Sequence, residues 1–444
     1  MSSRTPSPAP DILSRDSRYV IRPWSGTGEP VPVVDAKDCV VTDADGKEFI
    51  DFTSGYFVNQ AGHCHPRVMK AAADQLGKVT QVSGRHTTPA LVDLAERLVT
   101  LSPRPLERVF FTTGGTEANE FALKMVRQHT GKTDIAYYDN AYHGLTLGAL
   151  AACAAQKYRD SGGVPLGDFT FMLPNPYCYR CPHNQDCATQ CLDEAEKKLE
   201  ARKDTTAAII AEPVQAVGGI IPPDKWWERA EKIRKRLGLL LILDEIQTGI
   251  GRTGKMFGAE HYGLEPDLLV VGKGISGGVG SLGGVLARGE VVEKFFGGTT
   301  PTSAGNAVSA AAGSALIDTV RDEKLAENAA AMGEYFTEAV WALEDPWVGD
   351  VRFKGLLGGV ELVRDRASKE VLAKDLVTAV KDSMHEDGIL LTVSGPLGNV
   401  LRLQPPLTAT RKHLDACVAA MRRGLEKARG RAAVAQGPGR ETRA

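Results

Sequence analysis

Two apolar runs each end in a residue that can do chemistry. "LLLILDEIQTG" delivers Asp244 after a row of aliphatic residues, and "DLLVVGKGISGG" delivers Lys273 in the same way, followed by small residues that leave its amine approachable. A carboxylate in such a place must find a cationic or hydrogen-bonding partner. A lysine there can lose its proton, because desolvation lowers an amine's pKa, and then serve as an imine-forming nucleophile. The plain structural alternative is a salt bridge between Asp244 and Lys273. A third run, "FFTTGGTEANEFALKMV", reads as a strand, two glycines, Thr116 and a helix. Free backbone amides and the positive end of a helix dipole then face one point, which suits phosphate; the alternative is an ordinary capped helix. The "GKT" of residues 131–133 has Val126 where a triphosphate-binding loop needs its leading glycine, and "GGTEAN" lacks the third glycine of a dinucleotide fingerprint.

One cofactor needs a phosphate cradle, a carboxylate for a ring nitrogen and a lysine for an aldehyde: pyridoxal phosphate. The carboxylate keeps the pyridine nitrogen protonated, so the ring accepts electrons from the carbon being deprotonated. The lysine holds the cofactor as an imine and, once released by substrate, becomes a general base.

The elements that must position these groups follow an α/β pattern. "RVFFTTG", "DIAYYD", "TAAIIAEP", "LLLILDE" and "DLLVVGK" read as strands, several of them nearly unbroken apolar runs, separated by helices such as "DKWWERAEKIRKRLG". Runs of that kind mark strands buried on both faces of a mainly parallel sheet, with chemistry at their carboxyl ends. Earlier, "CVVTDADGKEFIDF" reads as a hairpin around Asp45-Gly46. From about Asn306 long helices precede short strands, which fits a smaller α+β domain that the hairpin joins. The division expected is 1–61 for a disordered start and the N-terminal part of the small domain and 62–305 for the large domain, with a Cys-rich loop at 172–192. Residues 306–430 follow as the C-terminal small domain and 431–444 as a disordered tail.

Composition points the same way. Over 444 residues, 53 Lys and Arg against 55 Asp and Glu leave a formal charge of −2, so no global field favours nucleic acid or an anionic membrane. The expected partners are small molecules or a second copy of the chain. No apolar run approaches a membrane span, and "MSSRTPSPAPDIL" lacks the pattern of an export signal, so a soluble cytoplasmic protein with reduced thiols is expected.

In order along the chain, "DGKEFIDFTSG", "GHCHP", "TTGGTEANEFALK", "AYHG", "AEPVQ", "LILDEIQTGIGRTG", "PDLLVVGKG", "TSAGN" and "RLQPPLT" resemble the class III aminotransferases, the ornithine and 4-aminobutyrate type of pyridoxal phosphate fold type I. The resemblance runs from about Trp24 to Lys427. It implies a large, mainly parallel sheet of seven-stranded type beside a smaller α+β domain. It also implies transfer of an amino group between an amino acid or ω-amino compound and a 2-oxo acid by a ping-pong cycle. By the same resemblance Lys273 binds the cofactor aldehyde and shuttles the proton, and Asp244 holds the pyridine nitrogen. Gln247 reaches the phenolic oxygen, Gly115 and Thr116 bind the phosphate, and Tyr142 stacks on the ring. Thr302 would complete the phosphate site of a neighbouring subunit, making a homodimer the smallest active unit. Arg402 matches an arginine that forks onto a substrate carboxylate. Glu212 matches a glutamate that pairs with it when no carboxylate is present, although the two could form a purely structural ion pair. Trp24 and the run Ser54 to Val58 fall where the family shapes its substrate pocket. A lyase, racemase, decarboxylase or β/γ-elimination or replacement enzyme on the same scaffold is the alternative reading.

The chain departs from the pattern in three places: Gly280 and Ala307 stand where proline is usual, and Ser303 where an aromatic is usual. A smaller, more open pocket is the expectation from these. One cluster lies outside the pattern, Cys178, Cys181, Cys187 and Cys191 with His183 among them. Its spacing leaves two readings open, reduced surface thiols or a structural zinc site, and no metal is assigned to the active site.

Overall fold

The computed structural model describes residues 8–22, 30–183, 187–296, 298 and 300–436. The chain begins its sheets with an antiparallel meander of β1 (Val33–Lys37), β2 (Val40–Asp43) and β3 (Glu48–Asp51), with the expected turn at Asp45-Gly46 between the last two. The central sheet follows, built from β4 (Arg108–Thr112), β5 (Asp134–Tyr138), β6 (Thr170–Leu173), β7 (Thr206–Ala211), β8 (Leu240–Asp244), β9 (Leu268–Val271) and β10 (Gly283–Ala287). Its order is β4-β10-β9-β8-β7-β5-β6. β10 runs antiparallel to β4 and β9, and the remaining pairs are parallel. Every residue of β7, β9 and β10 is buried. Both faces are covered, which is why those strands carry no polar alternation.

Two layers of helix do the covering. On one face the helix Gly115–Thr130 packs Ala118, Ala122 and Val126 into a core with Ile210, Ile242 and Val270. On the other, Trp226 and Trp227 of the helix Asp224–Arg236 meet Leu241, Leu243 and Leu199. The long helical stretch after Asn306 is two helices, Ala307–Asp322 and Leu325–Trp341, broken where Lys324 adopts a left-handed φ of 53°. Asn306 caps the first through its side-chain oxygen, which accepts from the amides of Val308 and Ser309. Ala307 is then the first helical residue, a position where alanine replaces proline without strain.

The remaining strands are β11 (Val348–Lys354), β12 (Leu357–Asp365), β13 (Glu370–Val371), β14 (Ile389–Leu390), β15 (Thr392–Ser394) and β16 (Val400–Arg402). β11, β12, β16 and β15 form an antiparallel sheet in that order, with β13 on β12. β14 stands outside that sheet and pairs in parallel with β3, Ile389 opposite Ile50, and so ties the N-terminal meander to the C-terminal part. At the ends, the helix Ala9–Tyr19 begins inside the stretch expected to be irregular, and the last helix, Arg411–Gln436, continues past residue 430. Among the described residues no helix is long and apolar enough to cross a membrane.

One buried charge cluster fastens the Cys-rich segment to this C-terminal sheet. Glu361 on β12 is fully buried. It accepts from Arg180 Nε at 2.5 Å, from Arg352 Nη1 at 2.8 Å and from the Tyr177 hydroxyl. Arg352 also donates to the carbonyl of Gly218, in the loop after β7, at 2.8 Å. Burial alone would raise the Glu361 carboxyl, but Arg352, Tyr177 and Arg180 hold it below the ordinary carboxylate range. A depressed carboxylate stabilises the fold above its unfolded pKa, and that contribution is lost as pH falls through the folded value. Glu361→Gln is therefore expected to lower stability at pH 7 by about 3 kcal/mol, because two guanidinium groups lose their buried anion. The midpoint of chemical unfolding measures it; an unchanged midpoint would show the cluster to be neutral.

Candidate active site

β8 and β9 are parallel neighbours, so Asp244 and Lys273 emerge side by side at the carboxyl edge of the sheet. The salt bridge that served as the structural alternative is not formed. Asp244 Oδ2 accepts instead from Asn119 Nδ2 and from His143 Nδ1, each at 2.8 Å, while Oδ1 accepts from the amide of Ile246 at 3.0 Å. A carboxylate cannot donate, so the His143 proton sits on Nδ1. His143 is buried, and among the described residues its Nε2 has no partner. Asn119 also donates to the His143 carbonyl at 2.7 Å, which locks the two donors to one another.

Lys273 follows Gly272 with φ at 42°, a left-handed conformation uncommon for a residue with a side chain. Burial pushes its amine down to about 8, against an opposing pull from Asp244. It is thus a lysine that becomes a free base above about pH 8, well below an ordinary amine.

The turn that the sequence suggests for phosphate is a glycine-entered helix start. The helix Gly115–Thr130 starts from an extended Gly114 without a side-chain cap, so its first amides stay available. They border a cavity of about 680 Å³ lined by Thr113, Gly114, Gly115, Thr116, Lys124 and Thr146, among others. Gly115 packs closely against Ile246: a Cβ there would stand 2.6 Å from Ile246 Cδ1 and force that side chain to shift. The neighbouring acids are already engaged. Glu117 accepts from Thr113, and Glu120 accepts from Thr146, Gly148 and Ala149.

Facing this edge is an aromatic enclosure. Tyr142 packs edge-on to Tyr158, with ring centroids 5.2 Å apart. Arg402, at the end of β16, is buried with its guanidinium carbon 3.9 Å from the centre of the Phe57 ring. Burial pushes Arg402 down to about 10, opposed by Tyr56 and Glu212. Among the described residues Arg402 has no ion pair, and its Nε is buried without a partner. Glu212 is buried too, accepting from the amides of Ala216 at 2.9 Å and Tyr142 at 3.3 Å. Burial raises its carboxyl. The Glu212–Arg402 ion pair is therefore open. Gln247 is buried and donates to Gln404 Oε1 at 2.6 Å, and Gln404 Nε2 has no partner among the described residues.

Thr302 is exposed on its loop, where its carbonyl accepts from Gln81. Trp24 lies outside the described residues. Gly280 has φ at 68°, which a proline ring cannot adopt, so the loop after Lys273 takes a path closed to the usual residue. Ser303 is exposed. The Cys178, Cys181, Cys187 and Cys191 thiols are free and half-buried, and burial together with Cys187, Cys181 and Cys191 raises the Cys178 thiol to about 11. Among the described residues no group of three or more His, Cys, Asp or Glu could hold a metal ion; residues 184–186 lie outside them.

Sequence reasoning missed Asn119 and His143, although both stand inside quoted motifs. The signal was physical: a buried carboxylate needs donors, and the polar residues of "TEAN" and "AYHG" were candidates to supply them. Tyr158 carries no such signal.

A family model described as aminotransferase class-III matches residues 24–425. A leucine/methionine racemase of Thermococcus litoralis is 34% identical, covering 91% of this chain and 93% of its own. An acetylornithine aminotransferase of Methanosarcina acetivorans is also 34% identical, over 92% of this chain and 94% of its own. Among solved structures, an (S)-enantioselective omega-transaminase from Thermomicrobium roseum superposes with a TM-score of 0.88 at 32% identity, covering 96% of this chain and 99% of that one.

The lowered lysine has a measurable consequence in protein stripped of any bound group. Between about pH 8, the folded value, and 10.5, the ordinary one, the unfolded chain binds the extra proton. Stability should therefore rise with pH across that window, by up to about 3 kcal/mol. Chemical unfolding of Lys273→Met should lack this rise; an equal rise in the variant would assign it to another group.

Proposed function

The chain belongs to the class-III aminotransferases, pyridoxal phosphate enzymes of fold type I, and from that premise we propose that it moves an amino group between an amino acid or ω-amino compound and a 2-oxo acid in a ping-pong cycle. The observation that carries the proposal is the meeting, at one sheet edge, of an uncapped helix start, a doubly supported carboxylate and a lysine lowered to about 8.

The residues present fit the cofactor. The amides of Gly115 and Thr116 with the Thr116 hydroxyl would hold its phosphate, Asp244 its ring nitrogen, Tyr142 its ring face and Lys273 its aldehyde. Gln247 would reach its hydroxyl by exchanging its bond to Gln404. When bound, pyridoxal phosphate supplies an electron-accepting ring that lets a proton leave the carbon carrying the amino group. Lys273 takes and returns that proton, its basicity matched to near-neutral pH. Arg402 binds the substrate carboxylate, replacing water or an open contact with a charge-assisted pair. Glu212, already close enough to influence Arg402, pairs with it when the donor has no carboxylate. The exposed Thr302 would complete the cavity of a second copy, which makes the homodimer the active unit. A cytoplasmic setting suits eight cysteines that are all free.

A second reading is racemisation, favoured by the 34% identity to the leucine/methionine racemase. One absorbance experiment separates the two. With an amino donor and no oxo acid, a transferase converts its cofactor stoichiometrically to the amine form, whereas a racemase turns over and retains the aldehyde form.

Lys273→Ala is expected to cut turnover by at least about a thousandfold, the scale of a lost general base and nucleophile, while circular dichroism stays that of the parent. Residual turnover above a tenth of the parent would sink the assignment.

A further inference from the structure

The Arg402 side of the site rests on a segment of unusual handedness. Ser54, Gly55, Tyr56 and Phe57 follow one another with φ of 42°, 63°, 67° and 71°. Three of these four carry side chains, for which a left-handed turn is sterically unfavourable. Such a conformation persists only where the surroundings over-determine it.

Here the surroundings are a single buried carboxylate and its neighbours. Asp51 is 2% exposed. Its Oδ1 accepts from the amide and hydroxyl of Thr53 at 2.7 and 2.6 Å. Its Oδ2 accepts from the amide of Gly55 at 2.8 Å and from His63 Nε2 at 2.9 Å. His63 Nδ1 in turn lies 3.2 Å from Asn59 Nδ2. At the far side Ser54 donates to the Gln404 carbonyl at 2.9 Å. The outcome of this handedness is the placement of two rings. Phe57 is buried beneath the Arg402 guanidinium, and Tyr56, more than half exposed, stands near enough to influence its charge. With no ion pair on Arg402 among the described residues, the Phe57 face is the contact that sets its direction.

We propose that Asp51 and His63 are positioning residues for substrate selection: they hold the Ser54–Phe57 turn left-handed, which seats Phe57 under Arg402 and aims the guanidinium at the substrate carboxylate. The inference rests on the reading of Arg402 as the carboxylate-binding group. In it, neither Asp51 nor His63 touches substrate. Their effect is confined to donors that carry a carboxylate, and a role in overall stability alone would not produce that selectivity.

The test compares the amino acid that the holoenzyme turns over fastest with the amine left by removing its carboxyl group. Arg402→Ala should raise KM for the acid far more than for the amine. Asp51→Asn puts an amide donor against the Gly55 amide. It should raise KM for the acid by about tenfold or more, the scale of one lost buried hydrogen bond to a charged group, and shift KM for the amine less than about threefold. His63→Gln should show the same selectivity in smaller measure, and decides the matter should Asp51→Asn fail to fold. If Arg402→Ala affects acid and amine alike, the reading of Arg402 falls. If Arg402→Ala discriminates while Asp51→Asn and His63→Gln move both KM values equally, or neither, the positioning role alone is overturned.

Discussion

The burial of one anion organises the site. The Asp244 carboxylate ends a strand inside the protein, where an unpaired charge is prohibitively costly, and no lysine or arginine pairs with it among the described residues. Its support comes from Asn119 and His143, which draws two further elements to the same point: the helix Gly115–Thr130 and the segment after β5. The helix that brings Asn119 also brings the amides of Gly115 and Thr116 at its start, and the segment that brings His143 brings Tyr142 beside it. Satisfying a single carboxylate thus fixes the relative placement of the uncapped helix start at Gly115, the Tyr142 ring and the lysine that follows the adjacent strand.

The opposite wall is built on a different balance. Among the described residues, Arg402 and Arg252 are both buried without a carboxylate partner, and burial pushes them down to about 10 and about 9. Arg252 spends its donors on the carbonyls of Leu356 and Pro405 and on Gln60, so its charge is committed to holding chain segments together. The Arg402 side chain makes no hydrogen bond among the described residues, whereas Arg252 leaves only its Nε unpartnered. A buried guanidinium in that condition favours an incoming anion, because the desolvation penalty has already been met by the fold. Two buried arginines in one region thus differ in what they hold: Arg252 ties chain segments together, while Arg402 lies over the Phe57 ring.

How much of this can be read from sequence depends on the range of the interaction involved. β7, β8 and β9 announce themselves because burial on both faces demands unbroken aliphatic runs. β6 and β10 do not: one is four residues of mixed character in "TFML", the other holds two glycines in "GGVLA". The break between the helices around Lys324 is equally silent, since both flanks have good helix formers. In the site, Asp244 and Lys273 stand out as charges ending apolar runs. Asn119 looks like any polar residue of a helix until Asp244 is placed against it. The handedness of Ser54–Phe57 is set by Asp51 and by Gln404, which is far away in sequence. Local propensity opposes that conformation, so no local pattern could disclose it. The attachment of Tyr177 and Arg180 to Glu361 is likewise a matter of tertiary contact alone.

The parallel pairing of β3 with β14 reaches beyond the finished fold to the way the chain is made. Ribosomes deliver residues from the N-terminus, so the meander carrying Asp51 emerges well before Ile389 exists to pair with Ile50. Throughout that interval the edge of β3 has backbone groups without their final partner, the kind of edge that invites pairing with the wrong chain. A strand from the C-terminal part completes the sheet that the N-terminal meander begins, and the Ser54–Phe57 segment reaches its final surroundings, Gln404 among them, only when nearly the whole polypeptide has been synthesised.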